Sequence, residues 1–455
     1  DADEIWQVTS GVAAEVLAAA GVRADQLQGV GITNQRETVV VWERATGRPL
    51  HRAIVWQDRR TAARCRELVE AGHSELVRRR TGLTIDPYFS ASKIEWLLAN
   101  VDGLATRPAG EICFGTIDSW LAFKFTGRHV TDYSNASRTM LFDINELRWS
   151  DELCELFGVD TASLPEVLPS LGIFGEIDPG LLGGATIPLA GIAGDQQAAL
   201  FGQACFSPGR AKNTSGTGSF VLMNVGDVPP VPADGLIGTL AWGDQTSRTY
   251  AYEASVFVSG AAVQWLRDGL GLLPSAPETE SLARSLDSND GVYFVPALTG
   301  LGSPYWDPNT RGALMGLTRG TTRAHFARAA LEAMAYQTVD AVRAMETAAG
   351  LPLSELHADG GAVANHWLMQ FQADVLGVPV VVPEITETTG FGAGMMAGIA
   401  TGCWSAAEVE ALWREQYRFE PQMSESMRAA LLEEWSATVE SVRGRGTPRD
   451  GQEQG

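Results

Sequence analysis

Asp195 stands where an apolar run, Pro188 to Ala193, breaks at Gly194 and a helical stretch resumes from Gln196 to Phe201. A carboxylate at the carboxyl end of a strand can accept a proton from an attacking hydroxyl, and the same place suits a helix N-cap; the two roles are compatible. Arg36 and Glu37 set a hydrogen-bond donor beside an acceptor in a connection between two β-rich runs, as a polyol requires, although spacing alone favours a solvated ion pair. Trp56, Tyr88 and Phe220 are able to wall a small ligand, but large aromatics more often fill a core. Three glycine-rich turns, Asn213 to Gly218, Thr299 to Ser303 and Asp359 to Asn365, can bring backbone N–H groups onto a phosphate because glycine carries no Cβ. Taken singly, each reads first as an ordinary tight turn. No G-x-x-x-x-G-K-[ST] loop, no G-x-G-x-x-G after a strand and no H-R-D loop is present, which sets aside Walker-type and protein-kinase sites.

Elements of both kinds must position these residues. Apolar spacing predicts a helix over residues 4–20 ending near Gly21, then strands at Gly29 to Thr33 and Thr38 to Trp42, with a hairpin through Gly47 into Pro49 to Trp56. Charged helices are expected around 57–71 and 90–100. Pro208 and Gly209 mark a break at 203–210 that reads as a hinge, after which Ala211 to Val225 opens a strand-turn-strand pattern around Gly216-Thr217-Gly218. Thr321 or Thr322 caps a long helix that stops at Gly350, Leu356 to Asp359 is a strand, and a further helix runs from Asn365 to Leu376. The alternation predicts an α/β chain of two domains, 1–202 and 203–440, with a polar tail over 441–455.

At 455 residues the chain exceeds the size of a single core, and its 45% hydrophobic and 20% charged residues are those of an ordinary globular protein. The formal charge of -21 disfavours nucleic acid or an anionic membrane as a partner, since both need a broad basic face. No apolar run approaches a membrane span, so no membrane insertion is expected. Five widely spaced cysteines without a C-x-x-C read as free thiols in the cytoplasm. Asp1 to Trp6 reads as the opening of a helix already inside a domain, with no initiator Met, signal or transit segment.

Taken together the strings are more specific than any one of them. Gly31-Ile32-Thr33-Asn34-Gln35-Arg36-Glu37-Thr38, Ile54-Val55-Trp56-Gln57, Ile85-Asp86-Pro87-Tyr88-Phe89-Ser90 and Asp132-Tyr133-Ser134-Asn135-Ala136-Ser137-Arg138-Thr139-Met140 resemble segments of the FGGY carbohydrate kinases, in the subgroup that acts on glycerol. So do Gly191-Ile192-Ala193-Gly194-Asp195-Gln196-Gln197-Ala198, Pro304-Tyr305-Trp306-Asp307-Pro308 and Gly360-Gly361-Ala362-Val363-Ala364-Asn365, in order from residue 5 to about residue 420. The resemblance implies two actin-like ATPase, ribonuclease H-like α/β domains flanking a cleft, ATP-dependent phosphorylation of glycerol to sn-glycerol 3-phosphate, Mg²⁺ as cofactor, and a homodimer or homotetramer. It implies glycerol contacts at Arg36, Glu37, Trp56, Tyr88, Asp195, Gln196 and Phe220, with Asp195 as general base. Nucleotide contacts are implied at Thr217, Gly260, Gln264, Gly361 and Asn365; no side chain is assigned to the metal.

The chain also departs from the pattern. The family's first strands carry an Asp-x-Gly-Thr-Thr phosphate loop with no counterpart in these residues, so the polypeptide as written is expected to be impaired. Gly183-Gly184-Ala185-Thr186 lacks the arginine of the fructose 1,6-bisphosphate segment, and control by that ligand is not expected. Two other readings stay open: an FGGY kinase of another polyol or sugar, and a non-catalytic polyol or nucleotide binding module.

Overall fold

Helix α1 (Ala2–Ala20) begins at Asp1, whose carboxylate accepts the N–H groups of Asp3 and Glu4, and ends at Gly21 in the left-handed conformation. The computed structural model describes residues 1–443. Beyond α1, strands β1 (Val30–Asn34), β2 (Ile173–Ile177) and β3 (Ile187–Gly194) form a three-stranded sheet in the order β1-β3-β2, with β1 parallel and β2 antiparallel to β3. Ile32, Phe174, Leu189 and Ile192 of this sheet share a core with Trp120, Leu121 and Phe125 of α3 (Ile117–Thr126). Between them in the chain lies α2 (Ser90–Asn100).

Two expectations are corrected here. The hairpin from Trp42 to Trp56 closes through Glu43 N–H to the Arg48 carbonyl, Leu50 N–H to the Val41 carbonyl and reciprocal bonds between Val39 and Ile54, but its second arm makes isolated bridges rather than a full strand, and the strand Val40–Glu43 pairs with Ile112–Gly115 as well. That distant partner buries Trp42 edge-on to Trp120, with ring centroids 5.3 Å apart. The helix expected over 57–71 spans only Ala62–Glu70, since Asp58 turns the chain by accepting the N–H of Arg60.

The carboxy-terminal half is built on seven strands in the order β6-β7-β5-β4-β8-β9-β10. These are β4 (Arg210–Ser215), β5 (Ser219–Gly226), β6 (Ile237–Gly243), β7 (Arg248–Val256), β8 (Glu355–Asp359), β9 (Val380–Pro383) and β10 (Glu415–Phe419). Alternation sorts the side chains: Ala211, Val221, Met223, Tyr252 and Ala254 fall on one face, where they share a core with the helix Arg323–Ala349. The register sets Lys212 beside Leu222 and His357, Leu222 beside Glu253, and Thr214 beside Phe220 and Asp359, so buried charges occupy the other face. That face meets α4 (Asp195–Gly202), which follows directly on β3.

Helix α4 also packs against α5 (Thr388–Ala400), and α5 lies on β1 and β3, so α5 is shared by the two halves. Gly392 makes that approach possible, because a Cβ there would sit 1.9 Å from the carbonyl oxygen of Ala198. The last described helix, Glu425–Val442, takes in Ser441 and Val442, so the polar tail begins later than expected; the rest of that tail from Gly444 lies outside the described residues.

One buried group yields a pH prediction. Asp118 on α3 is fully buried and accepts hydrogen bonds from Thr116 Oγ1 at 2.5 Å and Thr131 Oγ1 at 2.6 Å. Burial, helped by the charge of Asp132, pushes its carboxyl up to about 7. A carboxyl raised on folding contributes stability below its unfolded value near 4, and that contribution is lost as the pH rises through about 7. Asp118→Asn is therefore expected to gain on the parent between pH 4 and 8 by roughly 2–4 kcal/mol. Urea midpoints of both proteins across that range check this; a difference that does not change with pH contradicts it.

Candidate active site

β1 ends in Asn34, buried and locked by two amide bonds to Asn135, Nδ2 to Oδ1 at 2.9 Å and Asn135 Nδ2 to Oδ1 at 3.1 Å. The chain then reverses tightly: Glu37 has φ of 60° and the N–H of Thr38 donates to the Arg36 carbonyl at 2.7 Å. A non-glycine residue in that conformation costs about 1–3 kcal/mol and persists only where its surroundings over-determine it. Here they do. Arg36 and Glu37 are 3% and 1% exposed, so the solvated ion pair read from spacing is corrected to a buried one. Arg36 Nε lies 3.8 Å from Glu37 and 3.2 Å from Asp195, while its terminal nitrogens grip Glu253 of β7. Arg138 completes the lattice, donating to Glu37 at 2.7 Å and to Glu253 at 2.9 Å. Burial works to raise the Glu253 carboxyl, but Arg138 and Arg36 outweigh it and hold it at about 2. For Glu37 burial wins, and its carboxyl is raised despite the same two arginines.

Asp195 is not the N-cap that its position suggested. Gly194 takes that place and Asp195 is the first residue of α4, its Oδ1 accepting the N–H of Gln196 at 2.8 Å. Its side chain is 36% exposed, against 2% for Arg36, so it is the part of the ionic lattice that opens to solvent. The Gln196 side-chain oxygen accepts from the buried ammonium of Lys212, which also donates to Thr214 Oγ1 at 2.9 Å and the Phe220 carbonyl at 3.2 Å. Burial brings that ammonium down to about 8. Trp56 and Tyr88 meet edge-on at 5.7 Å, and the Arg138 guanidinium lies 5.7 Å from the Tyr88 ring. Lys93 of α2 fixes the loop that carries Tyr88 by donating to the carbonyls of Pro87, Tyr88 and Phe89 at 2.7, 2.6 and 3.1 Å. These contacts tie Arg36, Glu37, Asp195, Gln196, Tyr88 and Trp56 into one cluster of a guanidinium, two carboxylates, an amide and two aromatic rings, which Phe220 joins through its backbone carbonyl.

Thr217, Gly260, Gln264, Gly361 and Asn365 all line a second cavity of about 480 Å³, together with Ser215, Gly216, Arg267, Thr279 and Glu280. The β4–β5 turn forms one side, held by Gly260 N–H to the Gly216 carbonyl at 3.0 Å and Ser259 N–H to the Thr217 carbonyl at 2.9 Å. On the other side Asn365 caps the helix His366–Leu376, accepting the Leu368 N–H at 3.0 Å. A Cβ on Gly361 would meet nothing within 4 Å, so its backbone faces open space, as a group approaching a phosphate must. Thr299 to Ser303, the remaining glycine turn, does not line this cavity; it docks on the end of β7, with Ser303 N–H to the Ser255 carbonyl at 2.9 Å. Among the described residues no three His, Cys, Asp or Glu side chains converge as a metal cage.

From Lys212, at the first cluster, to Ser215, at the second cavity, is three residues of one extended strand, roughly 10 Å. A Cβ on Gly260 would lie 2.5 Å from the Gly216 carbonyl oxygen, backbone that cannot move aside cheaply. Gly260→Val is expected to weaken nucleotide binding about tenfold or more while leaving polyol binding near parent values. Calorimetry with ADP and with glycerol separately checks this.

Sequence reasoning missed Glu253, Arg138, Lys212 and Lys93. A charge inside an otherwise apolar β-run, as in Tyr250-Ala251-Tyr252-Glu253-Ala254, was the available signal, because a buried charge is retained only when paired.

Among the described residues no helix is long and apolar enough to cross a membrane, and all five cysteines are free, four of them buried. The model of the FGGY family of carbohydrate kinases, N-terminal domain, matches residues 1–202, and that of the C-terminal domain matches residues 211–401. A glycerol kinase of Dechloromonas aromatica is 57% identical over 444 residues, covering 97% of this chain and 88% of that protein. One from Geobacter is 56% identical over 444 residues, 96% of this chain and 89% of its own length. Spans of that extent lend no support to the expectation of an impaired chain. The crystal structure of Plasmodium falciparum glycerol kinase with ADP superposes with a TM-score of 0.92 at 34% identity, covering 97% of this chain and 90% of that one. With both models matched in order and the structure superposed along nearly its whole length, the chain belongs to the FGGY family of carbohydrate kinases and has that family's two-domain, actin-like ATPase fold.

Proposed function

We propose that this protein is an ATP:glycerol 3-phosphotransferase, moving the γ-phosphoryl group of ATP onto a terminal hydroxyl of glycerol to give sn-glycerol 3-phosphate. The observation that carries the reading is the juxtaposition at Asp195: a half-exposed carboxylate on a cluster of buried polar partners, one strand's span from a glycine-lined cavity of nucleotide size. The relatives that share more than half of their residues with this chain are glycerol kinases, which supports glycerol over longer polyols.

In this reading residues 1–202 form the polyol domain and 203–440 the nucleotide domain. Arg36, Glu37, Tyr88, Asp195 and Gln196 hydrogen-bond the three hydroxyls, and Trp56 and Phe220 cover the carbon skeleton. A site that pairs each hydroxyl rejects analogues lacking one, because its own buried groups are then left unpaired. Asp195 takes the proton of the attacking oxygen late in a loose transition state, so orientation and charge stabilisation supply most of the rate. Mg²⁺, when bound with the nucleotide, neutralises charge on the transferring phosphoryl group. The protein acts in the cytoplasm on free glycerol and ATP, as a homodimer or homotetramer.

The test is ADP release with Mg-ATP over a panel of glycerol, erythritol, xylulose and gluconate. Turnover confined to glycerol is expected; a preference for another member of the panel would move the assignment elsewhere in the family, and polyol-independent binding without turnover would favour a binding module.

A further inference from the structure

Glu253 lies on β7 in the carboxy-terminal half, yet both charges it grips belong to the amino-terminal half. Its carboxylate is fully buried and takes Arg36 at two points, Nη1 to Oε2 at 2.5 Å and Nη2 to Oε1 at 3.1 Å, and Arg138 Nη2 to Oε1 at 2.9 Å. A two-point contact fixes the plane of a guanidinium, which a single bond does not. With both terminal nitrogens held, Nε is left facing Asp195 and Glu37. The other hydrogen bond of this side chain among the described residues is a single one, to Gln197 Oε1 at 3.2 Å. Through Arg138, which also holds Glu37 at 2.7 Å, the same carboxylate orders the second polyol-facing residue.

We infer that Glu253 is a positioning residue for the phosphoryl acceptor: reaching across from the nucleotide-bearing half, it fixes the plane of the Arg36 guanidinium and, through Arg138, the Glu37 carboxylate, and so sets the polyol subsite. The inference rests on the kinase reading above and deepens it.

The test uses the full chain carrying Glu253→Gln, which keeps the side chain's shape and one acceptor but removes its charge. Steady-state KM values for glycerol and Mg-ATP are measured, with calorimetric affinities for ADP and for glycerol. The KM for glycerol is expected to rise roughly 10- to 100-fold, and the affinity for ADP to stay near that of the parent. A purely structural role would lower the active fraction and kcat without separating the two KM values. An unchanged KM for glycerol overturns the inference. If Glu253→Gln does not fold, the charge-balanced pair Glu253→Gln with Arg138→Gln, which removes one buried charge of each sign, gives the same readings. Absence of glycerol turnover in the parent chain overturns the kinase reading instead, and calorimetric glycerol binding by parent and variant then still reports whether Glu253 sets the subsite.

Discussion

Asp195→Asn is expected to lower kcat for glycerol phosphorylation by about 10²- to 10⁴-fold while the KM values for glycerol and Mg-ATP stay within the same order of magnitude. The substitution keeps the shape of the side chain and an oxygen that can still receive the Gln196 N–H, the contact that now measures 2.8 Å. What it removes is the proposed proton acceptor. A loose phosphoryl transfer asks for that acceptor late, so the loss appears in kcat more than in binding. The surrounding lattice is insensitive to the change because Arg36 is anchored on Glu253 rather than on Asp195, whose Oδ1 is 3.2 Å from Nε. Steady-state kinetics over both substrates check this. A variant that turns glycerol over at the parent rate shows that another group, or water, takes the proton.

Arg36→Met is expected to damage both function and fold. It leaves Glu37 and Glu253, 1% and 0% exposed, with Arg138 as the one remaining guanidinium paired to both and Lys212 acting on Glu253 from further off. Breaking a buried pair by removing one partner costs about 3–5 kcal/mol, because the remaining charge stays desolvated. The denaturant midpoint should fall accordingly, and glycerol affinity should fall with it if Arg36 is the hydroxyl donor proposed above. Arg36→Lys is expected to restore charge but not the two-point grip on Glu253, so it should recover stability more than glycerol affinity. If both variants bind glycerol as tightly as the parent, Arg36 does not face the polyol.

Particular residues show what was legible from the sequence. Helix ends were readable wherever chemistry marks them: Asp1 and Gly21 bound the first helix, and Thr322 and Gly350 bound the longest, each by a local capping bond or a left-handed glycine. The strand-turn-strand at Ser215 to Ser219 was readable because alternation and glycine coincide there. Pairing between distant segments was not. Val40–Glu43 meets Ile112–Gly115 across a long stretch of chain, and nothing local to Trp42 announces that partner. The site divides the same way. The residues proposed to face the substrate lie in strings specific enough to resemble a family, whereas Glu253 and Lys212 lie on one face of a sheet whose register only the folded chain reveals. Asp195 was placed correctly at the strand-to-helix junction, but its expected capping role belongs to Gly194, because the strand runs one residue further than its apolar letters do.

The most direct test of the account is the identity of the product. Incubating the chain with glycerol, Mg²⁺ and ATP labelled in the γ-phosphoryl group, followed by mass spectrometry and phosphorus NMR, should yield a glycerol monophosphate bearing the label on a terminal oxygen, in proportion to ADP formed and dependent on Asp195. Label released as inorganic phosphate, or no ADP formed by the folded parent and its Asp195→Asn variant alike, would contradict it.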